Sequence, residues 1–131
     1  NRTDFNYQSY KPSTSIGFYT NQTCDFINID HIVSFKDAYD SGAASWEASK
    51  KEVFANDRSN HVPSCGRVNS SKGSAGPKDF LRRSNDGVGL EYEIVSFCEY
   101  VRRYYAVKVR YGLSLADNDG TTFEDCDISI N

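Results

Sequence analysis

The sequence predicts an α+β domain tied by two disulfides, and three observations carry that expectation. The stretch FINIDHIVSF, Phe26 to Phe35, is apolar, rich in β-branched residues and short enough for a strand. The segment from Glu91 to Tyr111 instead sets Ile94, Phe97, Val101, Tyr104 and Lys108 three or four apart, the spacing of one helix face. Cys24, Cys65, Cys98 and Cys126 form an even set with no CxxC pair.

The length of 131 residues suits one domain spanning residues 1–131 with a real core. Aromatic residues make up 14% of it, so packing of rings on rings is expected. No apolar run approaches the roughly 20 residues that cross a bilayer, and no membrane partner is expected. Nothing points to an obligate protein partner. The cysteine spacing disfavours a zinc knuckle and favours an oxidising compartment. Of the three connectivities, Cys24–Cys65 and Cys98–Cys126 are favoured, because each closes a moderate loop within its own half. The absence of Met points to a chain that starts after a processing event. Sequons at Asn1 and Asn21 fit a secreted, glycosylated, extracellular protein.

Net charge is −3, which by itself does not suggest a nucleic-acid binder. Between Arg67 and Arg110, however, nine Lys/Arg face five Asp/Glu, while the chain from Tyr111 onward carries five acids and no base. A basic surface within an acidic protein and an ordinary mixed face both fit that distribution.

The elements follow in order. The first 20 or so residues are polar and dotted with Tyr, a poor helix and a better irregular or edge segment. After the strand-like run, KDAYDSGAASWEASKKEVFAND sets Tyr39, Ala43, Trp46, Val53 and Phe54 at helical spacing. Gly42 divides it into two short helices and Asn56 stops the second. NHVPSC reads as a short strand that Pro63 assigns to an edge. Pro77 suits the first turn of a helix in NSSKGSAGPKDFLRR. SNDGVG is turn-prone, and the long helix follows with Arg102, Arg103 and Arg110 off its apolar face.

Asp30 and His31 interrupt the apolar strand side by side. A neutral imidazole is a competent general base near pH 7, and a carboxylate is a natural ligand for a hard cation. An isolated Asp-His is most often a surface dipeptide or a satisfied core histidine. Here Asn60 and, nine residues on, Asn69 follow within NHVPSCGRVNSSKG. Two histidines, His31 and His61, exclude a three-histidine metal site.

Taken in order, IDHIVSF, DAYDSGAASW, FANDRSN, NSSKGSAGPKDFL and CEYVRRYYAVKVRYGLSLAD resemble the HNH (His-Me finger, ββα-metal) endonucleases. The likeness is closest to secreted relatives of the C-terminal nuclease domain of GmrSD-type restriction enzymes, and it covers roughly residues 28 to 117. The resemblance implies a ββα-metal core with a helical insertion between the strands and an additional long C-terminal helix. It implies His31 as the base that activates water, Asp30 and Asn69 as ligands of one divalent cation, and Asn60 as the brace of the loop. Mg²⁺ is the first expectation for that cation and Mn²⁺ the second. The substrate would be DNA, with RNA as a further option, and Lys72, Arg67, Arg103 and Lys108 would contact phosphate.

Three departures from the family pattern stand out. Ser34 occupies a position where proline is common, His61 one where an apolar residue is usual, and the stretch before Ile29 has no clear counterpart. Asn69 also opens the sequon N-S-S and must stay bare to serve as a ligand. Two other functions stay open on the residues alone. One is a metal-independent ribonuclease that uses His31 and His61 as an acid/base pair. The other is a non-catalytic secreted effector or binding module on the same scaffold.

Overall fold

A two-stranded antiparallel ribbon organises the protein, whose computed structural model describes residues 4–77, 79–80, 94–115 and 126. The Asn1 sequon, the turn at 84–89, residues 91–93 of the expected long helix and the acidic tail except Cys126 lie outside the described residues. Strand β1 (Ile27–His31) pairs with β2 (His61–Cys65), setting Asn28 opposite Ser64, Asp30 opposite Val62 and His31 opposite His61. Helix α3 (Gly66–Lys72) leaves directly from the end of β2. Between the strands lie α1 (Phe35–Asp40), a 3₁₀ turn (Ala43–Ser45), α2 (Ala48–Ala55) and a second 3₁₀ turn (Arg58–Asn60). Helix α4 (Phe97–Tyr111) packs against this unit. The α+β class, the helical insertion, the C-terminal helix and both disulfides, Cys24–Cys65 and Cys98–Cys126, are as the sequence predicts.

The strand is shorter than the apolar run that announces it. Ladder pairing ends at His31 because the Asn60 side chain takes over the backbone just beyond. Its Oδ1 accepts from the Val33 N–H at 2.8 Å, and its Nδ2 donates to the Val33 carbonyl at 3.0 Å. Ile32 and Val33 therefore stay fully buried without being strand. Ser34 then caps α1 by accepting from the Asp37 N–H, which proline at this position cannot do with its side chain. Pro63 fits because its carbonyl points away from β1, to the Phe18 N–H at 2.8 Å. Its backbone nitrogen points the same way, so the missing N–H costs no ladder bond.

Gly42 breaks the insertion as expected, at φ 140°, where a side chain would be strained. Asn56 closes α2, its N–H donating to the Glu52 and Val53 carbonyls. Val53, expected on the buried face, is 61% exposed. Its neighbour Phe54 takes the inward position instead, against Phe5, Trp46 and Tyr111. Pro77 opens a helical turn in which the Phe80 N–H donates to the Gly76 carbonyl.

Helix α4 begins at Phe97, later than the periodicity suggests. Before it, the Val95 N–H bonds the Tyr19 carbonyl and the Ser96 hydroxyl bonds that of Phe18, so the segment is tied to the N-terminal region and not to its own turn. Gly112 in the left-handed conformation ends the helix, with the Leu113 N–H returning to the Lys108 carbonyl. The aromatic richness goes into the core. Tyr19, Phe80 and Tyr100 meet edge to face at 5.0–5.7 Å, with Ile32, Val33, Phe54, Val62 and Tyr104 buried around them.

Candidate active site

Alternation along β1 decides which side chains meet. Asn28 and Asp30 project to one face of the ribbon and His31 to the other. On the first face, Asp30 Oδ2 accepts from the Tyr19 hydroxyl at 2.5 Å and lies 3.2 Å from the Lys72 ammonium. Both partners engage the same oxygen, which leaves Oδ1 as the carboxylate atom for a ligand. Lys72 also donates to the His31 carbonyl at 3.1 Å. Burial next to Asp30 pushes the Tyr19 phenol well above its usual range, so it remains a donor.

Asn69 reaches the same face from α3, where its Nδ2 donates to Asn28 Oδ1. Its own Oδ1 is buried and meets no donor among the described residues. An acceptor so placed costs stability unless something fills it, and a cation or its hydration water is a suitable partner. A carboxylate with an amide oxygen, and neither His nor Cys, is a donor set for a hard cation. Among the described residues no cluster of three or more His, Cys, Asp or Glu forms a metal centre, so any cation here would lean on few protein ligands and on water.

On the other face, His31 Nε2 lies 2.8 Å from the Ala55 carbonyl, and His61 Nε2 lies 3.0 Å from the same oxygen. A carbonyl only accepts, so both rings carry their proton on Nε2. His61 Nδ1 then accepts from the Tyr10 hydroxyl at 2.9 Å. His31 Nδ1 is the imidazole lone pair left for chemistry. The rings stand 4.6 Å apart as a direct cross-strand pair, walled by Tyr7 and Phe35. Burial is the largest influence on both and holds their pKa values down, His31 to about 4, so its imidazole is neutral at pH 7. The last carbonyl of α2 thus orients both imidazoles, which ties the helical insertion to the ribbon here.

Asn60 is fully buried, and its side chain staples the loop after His31 through Val33. Arg67 is exposed on the first turn of α3, and Arg103 is exposed on α4, ion-paired to Glu99 at 3.0 Å. The expectation that Lys72 and Lys108 contact phosphate is corrected by burial, since both are fully inaccessible. Lys72 serves as the counter-charge of Asp30. The Lys108 ammonium is consumed by Asp37 at 2.7 Å, the Ser41 hydroxyl at 2.9 Å and the Ser114 carbonyl at 2.7 Å. Asn21 is exposed, whereas the Asn69 sequon nitrogen is engaged with Asn28.

Sequence reasoning missed Asn28, Tyr19, Tyr10 and the Ala55 carbonyl. Strand alternation from Asp30 would have found Asn28, and the Tyr-dotted N-terminal stretch was the only trace of Tyr10 and Tyr19.

An antiparallel ribbon running into a helix, with Asp-His at the end of one strand and asparagines before and after the other, defines the HNH class of nuclease domain. The chain belongs to the family of GmrSD restriction endonucleases, C-terminal domain, which it matches over residues 2–121. It is 36% identical over 91 residues to an uncharacterized secreted protein of Arthroderma benhamiae, covering 68% of this chain and 40% of that one. The chain thus spans about two fifths of that relative's length. No solved structure matches it.

Proposed function

We propose that this chain is a secreted, metal-dependent endonuclease that hydrolyses phosphodiester bonds in DNA, with RNA as a secondary substrate. The observation that carries the reading is Asn69, whose buried amide oxygen meets no donor among the described residues and sits on the ribbon face of Asp30. Asp30 Oδ1 and Asn69 Oδ1 would hold one divalent cation, Mg²⁺ before Mn²⁺. Such a cation supplies charge stabilisation to the scissile phosphate and to the departing oxygen.

The chain's own residues do the rest. His31 points to the opposite face from Asp30 but is the last residue of β1. At the ribbon's end its Nδ1, with Nε2–H fixed on Ala55, would take a proton from the attacking water. Asn60 holds the turn that follows the base, so the imidazole does not have to be ordered when substrate arrives. Lys72 and Tyr19 hold the Asp30 carboxylate in place through its Oδ2. Arg67 and Arg103, both exposed, are basic groups that a phosphate can reach. Two disulfides and the secreted relative support an extracellular setting.

The contact between His31 and His61 favours a second reading, a metal-independent acid/base pair. Against it, His61 has both nitrogens engaged, by Ala55 and by Tyr10. A plasmid-nicking assay separates the two. The metal reading expects activity with Mg²⁺, none with EDTA, and loss of nicking in His31→Ala with an unchanged far-UV CD spectrum. Nicking that survives EDTA would support the ribonuclease-like pair and overturn the metal mechanism.

A further inference from the structure

Resting on that nuclease reading, we propose that the groove between the second 3₁₀ turn and α4 receives the phosphodiester backbone of the substrate strand. A cavity of about 340 Å³ opens there, lined by Arg58, Ser59, Arg103, Ala106, Val107 and Arg110. Three of its six lining residues are arginines, in a protein whose net charge is −3. A polyanion approaching an acidic protein needs such a local positive surface, because the overall field repels it.

The arginines are accessible. The side chains of Arg103 and Arg110 are 44% and 64% exposed, and Arg58 is exposed as well. Among the described residues these arginines pair with Glu99, 3.0 Å from Arg103, and Asp57, 3.7 Å from Arg110. The Arg103 and Arg110 pairs are solvent-exposed on the arginine side and cost little to exchange for phosphate. Asp57 is in addition held by the Tyr111 and Ser59 hydroxyls, so it does not depend on Arg110. Guanidinium forks match phosphate oxygens two at a time. Arg103 and Arg110 are two helical turns apart, about 10 Å, a span of about three nucleotides.

The groove also leads to the base. The Arg58 guanidinium lies 4.0 Å over the Tyr10 ring, the Tyr10 hydroxyl bonds His61, and His61 stands against His31. A strand seated along α4 would therefore reach the catalytic imidazole across Tyr10 and His61.

Fluorescence anisotropy of a short labelled single-stranded DNA, titrated with protein in EDTA across a salt series, tests this without cleavage. The expected result is salt-sensitive binding whose log–log slope falls by about 0.7 in Arg58→Ala and again in Arg110→Ala. The triple variant R58A/R103A/R110A should lose binding tenfold or more, while Arg58→Lys preserves the slope and Lys36→Ala on α1 changes nothing. Equal binding by wild type and triple variant overturns the groove, even if Mg²⁺-dependent nicking persists. So does competition by polyglutamate as effective as by unlabelled DNA, which would mark an acidic-protein site. Groove binding in a protein that shows no nicking would support the groove and remove the nuclease reading alone.

Discussion

Replacing Asn60 by Ala isolates the brace behind the base. The side chain is fully buried and makes two hydrogen bonds, 2.8 Å from the Val33 N–H and 3.0 Å to the Val33 carbonyl. Alanine satisfies neither, and neither Val33 group has water to turn to. A buried unsatisfied backbone group costs about 1–3 kcal/mol, so the two together should destabilise the fold by about 2–6 kcal/mol. That is a large part of the usual 5–15 kcal/mol of a domain this size. Urea unfolding followed by tyrosine and tryptophan fluorescence reads the loss directly, as a lower midpoint at unchanged slope. Nicking measured well below the new midpoint should also fall, because the turn that follows His31 is no longer fixed. A change under about 1 kcal/mol, or full activity in a folded variant, would refute the assignment of Asn60 as the brace.

Other perturbations have equally definite outcomes. Asp37→Ala strands the buried Lys108 ammonium, removes the acceptor of the Tyr104 hydroxyl and should cost about 3–5 kcal/mol by urea unfolding. The same loss is not expected from Asp40→Ala, whose partner Lys36 is exposed. Cys24→Ser with Cys65→Ser opens a loop of sequence separation 41 and should cost about 4 kcal/mol on the chain-entropy account; a midpoint equal to wild type under oxidising conditions would contradict it. His31 and His61 have folded pKa values below the ordinary 6.5, so the unfolded chain binds more protons as pH falls. Their contribution leaves stability undiminished above about 6.5 and erodes it between 6.5 and about 4; a urea midpoint that rises from pH 7 to pH 5 would contradict this.

The sequence made the secondary elements legible wherever local pattern and tertiary demand agree. Gly42, Asn56, Pro63 and the apolar Phe97–Val101–Tyr104 face of α4 all stand as their chemistry suggests. The failures come from distant groups. β1 stops at His31 because a side chain 27 residues away claims Val33, and no local pattern encodes that. Lys72 and Lys108 read as surface bases because charge is ordinarily exposed, yet each meets a carboxylate that arrives from another element. The site was legible as a set of residue types and spacings, not as a geometry. Whether Asp30 and His31 share a face follows from strand alternation, but the pairing of His31 with His61 needed the register of β2. The shared Ala55 acceptor needed the fold of the whole insertion.

The rate of plasmid cleavage as a function of Mg²⁺ concentration, compared among wild type, Asn69→Ala and His31→Ala, tests the division of labour most directly. If Asn69 holds the cation and His31 takes the proton, Asn69→Ala should need more Mg²⁺ and recover rate when it is supplied. His31→Ala should keep the wild-type Mg²⁺ dependence and lose about 10²–10⁴ in rate at every concentration. Wild-type rates in His31→Ala, or an unshifted Mg²⁺ dependence in Asn69→Ala, would contradict the account.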